Sequence, residues 1–394
     1  MNEKFFIEVA HDQRNYGDER ICGDVFVSRK IKEENRTIAV LSDGMGHGVK
    51  ANVLATLTAT MAINFTREHK AVDRIAEMIM NTLPVCSHRR MSYSTFTIVD
   101  IEHEGKITIL EYDNPRTIIL RDNRLFDPGW NCLILESEKN AGKEILSCQF
   151  KPQKEDRIIF CSDGVAQSGL GTDKYPLGWG RENMEKYAIR LIGNNPRISA
   201  SRLASKMVQM AHRNDDFHPK DDTSCGSIYF RQPRRLLLVT GPPYEKEKDR
   251  QLGEAVKQFK GKKVICGATT ADIIARELGV EIEDTLEFED PELPPVSRME
   301  GIDLVTEGIL TLTRVTRILK EYSPSYLPGK GPADRIVRLV RESDEIRIII
   351  GTRVNIAHQD PSLPVELEMR RTVVKRMARL LEEKFLKEVS ISYL

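Results

Sequence analysis

The sequence has no excess of charge of either sign: 59 Lys and Arg residues stand against 59 Asp and Glu in a chain of 394. No global field therefore draws it to nucleic acid or to a membrane surface. It contains no run of about 18 apolar residues, the length that a spanning helix needs. The opening MNEKFFIEVAHDQ has no apolar stretch of signal-peptide length. Seven cysteines are scattered without a C-x-x-C pair. That pattern argues against a disulfide framework or a zinc site, and for reduced thiols in a cytoplasmic protein. Gly-x-Ser-x-Gly, Walker lysine-serine and G-x-G-x-x-G elements are absent, as are internal repeats and low-complexity segments. Hydrophobic residues at 40% and charged residues at 30% fit an ordinary globular chain with a sizeable core.

What is present is a recurring pattern of aspartate at strand ends. In IAVLSDGMGHGVK, an apolar run (Ile38 to Leu41) stops at Asp43-Gly44, passes Gly46, His47 and Gly48, and gives way to helical spacing. Asp43 would project a carboxylate from a rigid edge, while Gly44 lets the backbone come close to whatever is bound. IIFCSDG (Ile158 to Gly164) repeats the pattern with Asp163. Asp221-Asp222-Thr223-Ser224 leads into the apolar CGSIYF, and Gly23-Asp24 precedes Val25-Phe26-Val27. Carboxylates without Cys or His partners suit hard cations, Mg²⁺ or Mn²⁺. Phosphomonoester hydrolysis needs an activated water and neutralised phosphoryl oxygens, and two metal ions ~3.5–4 Å apart supply both.

Taken in order, Gly23-Asp24, DGMGHG (Asp43 to Gly48), SDG (Ser162 to Gly164) and DDTS (Asp221 to Ser224) resemble the metal-dependent serine/threonine protein phosphatases of type 2C (PPM). Within that class the match is to the bacterial branch named after stage II sporulation protein E, over roughly residues 1–232. The resemblance implies an α+β four-layer αββα sandwich, two divalent cations (Mn²⁺ or Mg²⁺), and a phosphoprotein substrate in a bacterial signalling switch. It implies that Asp43 bridges the ions, that Asp24 and the Gly44 carbonyl serve one, and that Asp163 and Asp221 serve the other. Asp222 then supports the site or caps a turn. His47 is a candidate general acid, although it stands two residues later than the histidine of the type 2C relatives. Arg20 lies near the first motif and is not assigned to phosphate binding.

Between the motifs the periodicity gives the layers. Residues 3 to 10 and 22 to 28 read as strands. Val49 to Phe65 and Val72 to Leu83 read as helices, the second closed by Pro84. Four threonines (Thr56, Thr58, Thr60, Thr66) weaken the first helix, so packing must hold it. These two helices follow the metal-binding turn directly; a regulatory shift of the pair is one reading, a plain layer of the sandwich the other. Ser94 to Phe126 alternates with period two, an antiparallel meander extended by ILSCQF and RIIFCSD. Trp179 to Ile192 and Ser199 to Arg213 read as helices.

At FRQPRR (Phe230 to Arg235) the grammar changes to strands alternating with helices. Residues 233–394 therefore form a second α/β domain with a mostly parallel, doubly wound sheet. DPELPP and SPSYLPGKGP are long surface loops, candidates for lids. In ICGATTADIIARELG, Gly267, Thr269 and Thr270 open a helix as a candidate anion-binding turn, with an ordinary N-cap as the equal alternative. The expected activity is metal-dependent hydrolysis of phosphoserine or phosphothreonine on a protein. The alternative is a non-catalytic phosphatase-fold sensor whose second domain binds a small anion. No nucleic-acid or membrane partner is expected, and homodimerisation is left open.

Overall fold

A computed structural model describes residues 5–31, 33–68, 72–82, 94–102, 105–135, 137, 140–285, 289–323, 326–353, 364–385 and 387–394. The chain divides into two compact units, Met1–Gln232 and Pro233–Leu394. In the described residues no helix is long and apolar enough to cross a membrane.

The first unit begins with β1 (Phe6–Arg14), β2 (Asp24–Ile31) and β3 (Arg36–Gly44), followed by α1 (Gly48–Arg67) and α2 (Val72–Thr82). Six strands follow: β4 (Ser94–Ile101), β5 (Ile107–Tyr112), β6 (Ile118–Arg121), β7 (Arg124–Leu125), β8 (Asn131–Ile134) and β9 (Glu144–Phe150). The unit closes with β10 (Arg157–Cys161), α3 (Asp163–Gln167), α4 (Gly180–Asn194), α5 (Ala200–Asn214) and β11 (Thr223–Arg231).

These strands form two sheets, β2-β3-β4-β5-β9-β8 and β1-β11-β10-β6-β7. The strands from β4 on do not form the single meander expected from the sequence, because β6 and β7 leave the sheet that holds β4, β5, β8 and β9 and join β10 instead. Period-two alternation gives each sheet two apolar faces. Ala39, Leu41, Val99 and Ile109 of one sheet meet Ile119, Ile158, Phe160 and Ile228 of the other. On its outer face the first sheet packs Ile38, Val40 and Ile98 against Ala59, Ile63 and Ile79 of α1 and α2. On its own outer face the second packs Ile159 and Cys161 against Ala188, Leu203 and Met207 of α4 and α5. The stacking is helix, sheet, sheet, helix.

Two further departures from the sequence pattern have physical causes. β1 runs past residue 10 to Arg14, because β11 offers backbone partners along its whole length, from Phe6↔Arg231 to Arg14↔Thr223. The polar residues His11 to Arg14 are held by that ladder rather than by burial. Threonine-rich α1 is held by packing: Thr58 is buried and donates to the Leu54 carbonyl at 2.9 Å. Its far end is tied down by buried Arg36, which donates to the Thr66 carbonyl at 2.7 Å and to both oxygens of Asp100. Leu83 and Pro84, expected to close the second helix, lie outside the described residues.

The second unit runs β12 (Arg235–Thr240), α6 (Asp249–Gln258), β13 (Lys262–Cys266), α7 (Ala268–Leu278), β14 (Ile282–Asp284) and β15 (Ser297–Met299). It continues with β16 (Ile302–Thr306), α8 (Ile309–Glu321), α9 (Pro332–Glu342), β17 (Glu345–Ile350), α10 (Pro364–Glu383) and β18 (Glu388–Tyr393). Its sheet is ordered β14-β15-β16-β13-β12-β17-β18. The five strands from β16 to β18 are parallel, and β14 and β15 pair antiparallel at one edge. Core residues of α6 and α7 cover one face and those of α8, α9 and α10 the other. The DPELPP loop joins β14 to β15, two short edge strands that the proline-rich sequence conceals.

Candidate functional site

The register of the first sheet sets Asp24 of β2 directly opposite Asp43 of β3. Asp163 opens α3 at the end of β10, in the other sheet, and Asp221 lies in the turn before β11. Asp43, Asp163, Asp221 and His47 line one cleft of about 980 Å³ in the first unit. Asp24 lies below its surface, 1% exposed.

Close backbone approach makes this convergence feasible. A Cβ on Gly44 would stand 2.0 Å from the Ala51 carbonyl oxygen of α1, so only glycine lets the helix start against the strand end. A Cβ on Gly164 would meet the Asp222 carbonyl at 2.2 Å, so α3 and the DDTS turn can touch only there. Both glycines admit neighbouring backbone of the chain itself, whereas the expectation for Gly44 is close approach to a bound group.

The carboxylates are poorly compensated. Both oxygens of Asp24, Oδ1 of Asp163 and Oδ2 of Asp222 are buried without a hydrogen-bond partner. Burial pushes the Asp24 carboxyl up to about 7; the nearby Ser224 and Ser162 hydroxyls oppose this, and the Asp222 and Asp221 charges add to it. Neither serine closes a full hydrogen bond to it. Asp43 is held well above the carboxylate range, first by burial and then by Asp24, Asp163 and Asp221. Asp221 rises to about 6 for the same reasons, burial first and then Asp163. Among the described residues no three His, Cys, Asp or Glu side chains are drawn close enough to grip a metal ion as they stand. Mutual repulsion gives such groups no reason to close further without a cation between them.

Neighbouring groups orient the set. Gln167 donates to Asp163 Oδ2 at 2.8 Å, and the Ser94 hydroxyl donates to the Asp43 carbonyl at 2.7 Å. Asp222 accepts from the Tyr16 N–H at 2.9 Å, a supporting contact across the turn. His47 sits on the rim as the residue before α1; its Nδ1 lies 3.0 Å from Glu19 Oε1 and its ring packs on Tyr16.

Among the described residues that line the cleft, no serine or cysteine offers a free nucleophile. The Ser94 hydroxyl is engaged by Ser42 and by the Asp43 carbonyl. Cys225 and Arg231 do fall at Cys-x₅-Arg spacing, but they lie in strand β11 rather than in an anion-cradling loop. Cys225 is fully buried; its hydrogen bond to Cys161 and its burial push the thiol far up, and Arg231 is paired with Glu8 at 2.7 Å.

Gly267, Thr269 and Thr270 belong to the second unit. Gly267 caps α7 without a side-chain hydrogen bond, Thr270 is buried, and Gly267 abuts Gly308 after β16. Sequence reading missed Glu111, Asp113, Asn114 and Glu144, which also line the cleft. Glu111 occupies a place in β5 that its alternation assigns to the core: Ile107 and Ile109 precede it on the same face. A carboxylate at the end of an apolar column is the signal that could have found it.

The family model for stage II sporulation protein E matches residues 33–231, all of them in the first unit. No curated protein sequence matches the chain. Among solved structures, the phosphatase domain of the cell-fate determinant SpoIIE from Bacillus subtilis is 13% identical. It covers 59% of this chain and 95% of its own, at a TM-score of 0.45. The RsbU and RsbW domains of a Mycobacterium tuberculosis protein are 16% identical, covering 64% and 67% at a TM-score of 0.44. The catalytic domain of the serine/threonine phosphatase PstP, solved with two manganese ions, is 14% identical over 58% and 100% at 0.37.

Proposed function

This chain belongs to the stage II sporulation protein E family, and from that premise we propose that it hydrolyses phosphoserine or phosphothreonine on a protein, using two divalent cations. The observation that carries this reading is the crowding of uncompensated carboxylates: Asp24 and Asp163 keep buried oxygens without partners, and Asp43 and Asp221 are pushed up by burial and by the charges of their acidic neighbours. Such a donor set, all oxygen and strongly negative, fits Mg²⁺ or Mn²⁺ and not a softer metal. Asp24, Asp43, the Gly44 carbonyl, Asp163 and Asp221 would hold the ions, Asp43 being the one that feels the charges of the other three aspartates. When bound, the pair neutralises phosphoryl charge and lowers the pKa of a water.

The chain's own groups do the rest. Gln167 and Ser94 fix the aspartates that face the cleft; with the Ser94 hydroxyl engaged and no described cysteine lining the cleft, water is the attacking group. Glu19 occupies His47 Nδ1, which leaves Nε2 as the nitrogen that donates a proton to the departing serine or threonine oxygen. Residues 233–394 serve as a regulatory or targeting domain.

Purified full-length protein should release phosphate from a phosphoserine peptide with Mn²⁺ and not with EDTA. Calorimetric binding of Mn²⁺ without turnover on any phosphoester would favour the sensor reading, and absence of binding would remove the metal site altogether. His47→Gln separates its role by leaving group. Turnover of an alkyl phosphate should fall by about 100-fold, while p-nitrophenyl phosphate, whose leaving group needs no proton, should change far less. Equal losses on both esters would deny His47 the role of acid.

A further inference from the structure

The cleft has a second acidic wall that the chemistry above does not use. In register, Asp43 of β3 stands opposite Thr95 of β4, Thr97 opposite Glu111 of β5, and Glu111 opposite Leu146 of β9. Because side chains alternate along a strand, Asp43, Thr97, Glu111 and Leu146 share the inner face of one sheet. Strand spacing and rise put Glu111 about 12 Å from Asp43 between Cα atoms. Asp113 and Glu144, both exposed, flank Glu111 along the same side of the cleft.

Glu111 is the informative member. It is 2% exposed, accepts the Thr117 N–H at 2.7 Å through Oε1, and keeps Oε2 buried and without a partner. Burial pushes its carboxyl up to about 7, although Thr117, Arg116 and Arg181 pull the other way. A buried carboxylate with an unused oxygen costs stability unless something meets it. Among the described residues no lysine or arginine lines this wall, although the Arg116 and Arg181 charges reach Glu111; Lys220, elsewhere in the cleft, donates to the Leu170 carbonyl.

We propose that this wall is a subsite for a positively charged side chain, so that the favoured phosphoprotein segment carries Lys or Arg two or three residues from the phosphorylated one. An extended peptide advances about 3.3–3.6 Å per residue, so three residues span nearly the distance from the metal-binding aspartates to Glu111. The inference rests on the phosphatase reading for the position of the phosphoryl group, but the subsite is read by binding alone.

The test uses the full chain with Mn²⁺ and fluorescein-labelled phosphoserine peptides differing only at the third residue from the phosphoserine: lysine, alanine or glutamate. By anisotropy the lysine peptide should bind about 10-fold more tightly than the alanine peptide, with the preference shrinking as salt is raised. Glu111→Gln and Glu144→Lys should each reduce the preference at least 3-fold, roughly. Glu144 is exposed, so its variant keeps the test alive if Glu111→Gln fails to fold. Equal binding of lysine and alanine peptides, or a preference untouched by Glu144→Lys, overturns the subsite even where phosphate is released. A lysine preference in binding without phosphate release from any peptide overturns the phosphatase reading and leaves the subsite standing.

Discussion

Asp43→Asn is expected to lower phosphate release from a phosphoserine peptide by at least about 100-fold, since loss of a mere supporting contact at a metal site already costs 10–100-fold. The substitution keeps the shape of the side chain and removes one charge from a group pressed by three others. The metal-free variant should therefore melt no lower than wild type, and its Mn²⁺ affinity should fall. That combination, lost turnover with retained or raised stability, separates a metal ligand from a residue that merely holds the fold. A variant that loses activity only because it unfolds would deny Asp43 that role, as would one that keeps normal manganese affinity.

Asp24→Asn should have its largest effect on stability without metal. Asp24 rises from its ordinary 3.8 to about 7 in the fold, chiefly through burial. The unfolded chain therefore releases this proton at lower pH than the folded one. Between about pH 4 and pH 7 the native state binds more protons, so wild-type stability in EDTA falls as pH rises through that window. The loss from Asp24 alone is on the order of 4 kcal/mol at pH 8, and Asn, which has no charge to bury, should abolish that part of the slope. Urea melts at pH 5 and pH 8 measure it. Saturating Mn²⁺ should close much of that gap, because a ligand bound a hundredfold above its Kd adds about 2.7 kcal/mol to the protein that binds it. Parallel pH slopes for the two proteins in EDTA would show that Asp24 carries no such burden.

Much of the first unit was legible because its information is local. An apolar run ending in Asp-Gly announces both a buried strand and a carboxylate at its tip, as in β3, and the sequences of β4 and β5 show the period of a strand. That Asp24 faces Asp43 was not local: it follows from the β2–β3 register. The extension of β1 through His11 to Arg14 escaped the sequence because its cause is β11, more than two hundred residues away. Glu111 was hidden for a related reason. In KITILEYDN it follows Ile107 and Ile109 on one face, and only the second sheet shows that this face is an interior rather than a surface. In the second unit, β14 and β15 are too short for periodicity, and edge pairing alone makes them strands.

Cys22 precedes Gly23-Asp24 and is 4% exposed, its thiol pushed far up by burial and by the neighbouring Asp24 and Asp222 charges. Alkylating reagents attack thiolates that they can reach, so this sulfur is doubly shielded while the carboxylates hold their places, whereas Cys132 is exposed. The rate at which iodoacetamide finds Cys22, followed by peptide mass, is therefore a clock that the molecule carries for how often the floor of its reaction centre breathes. Anything that steadies that floor, cation or substrate, should slow the clock, and the protein needs no added label to be timed.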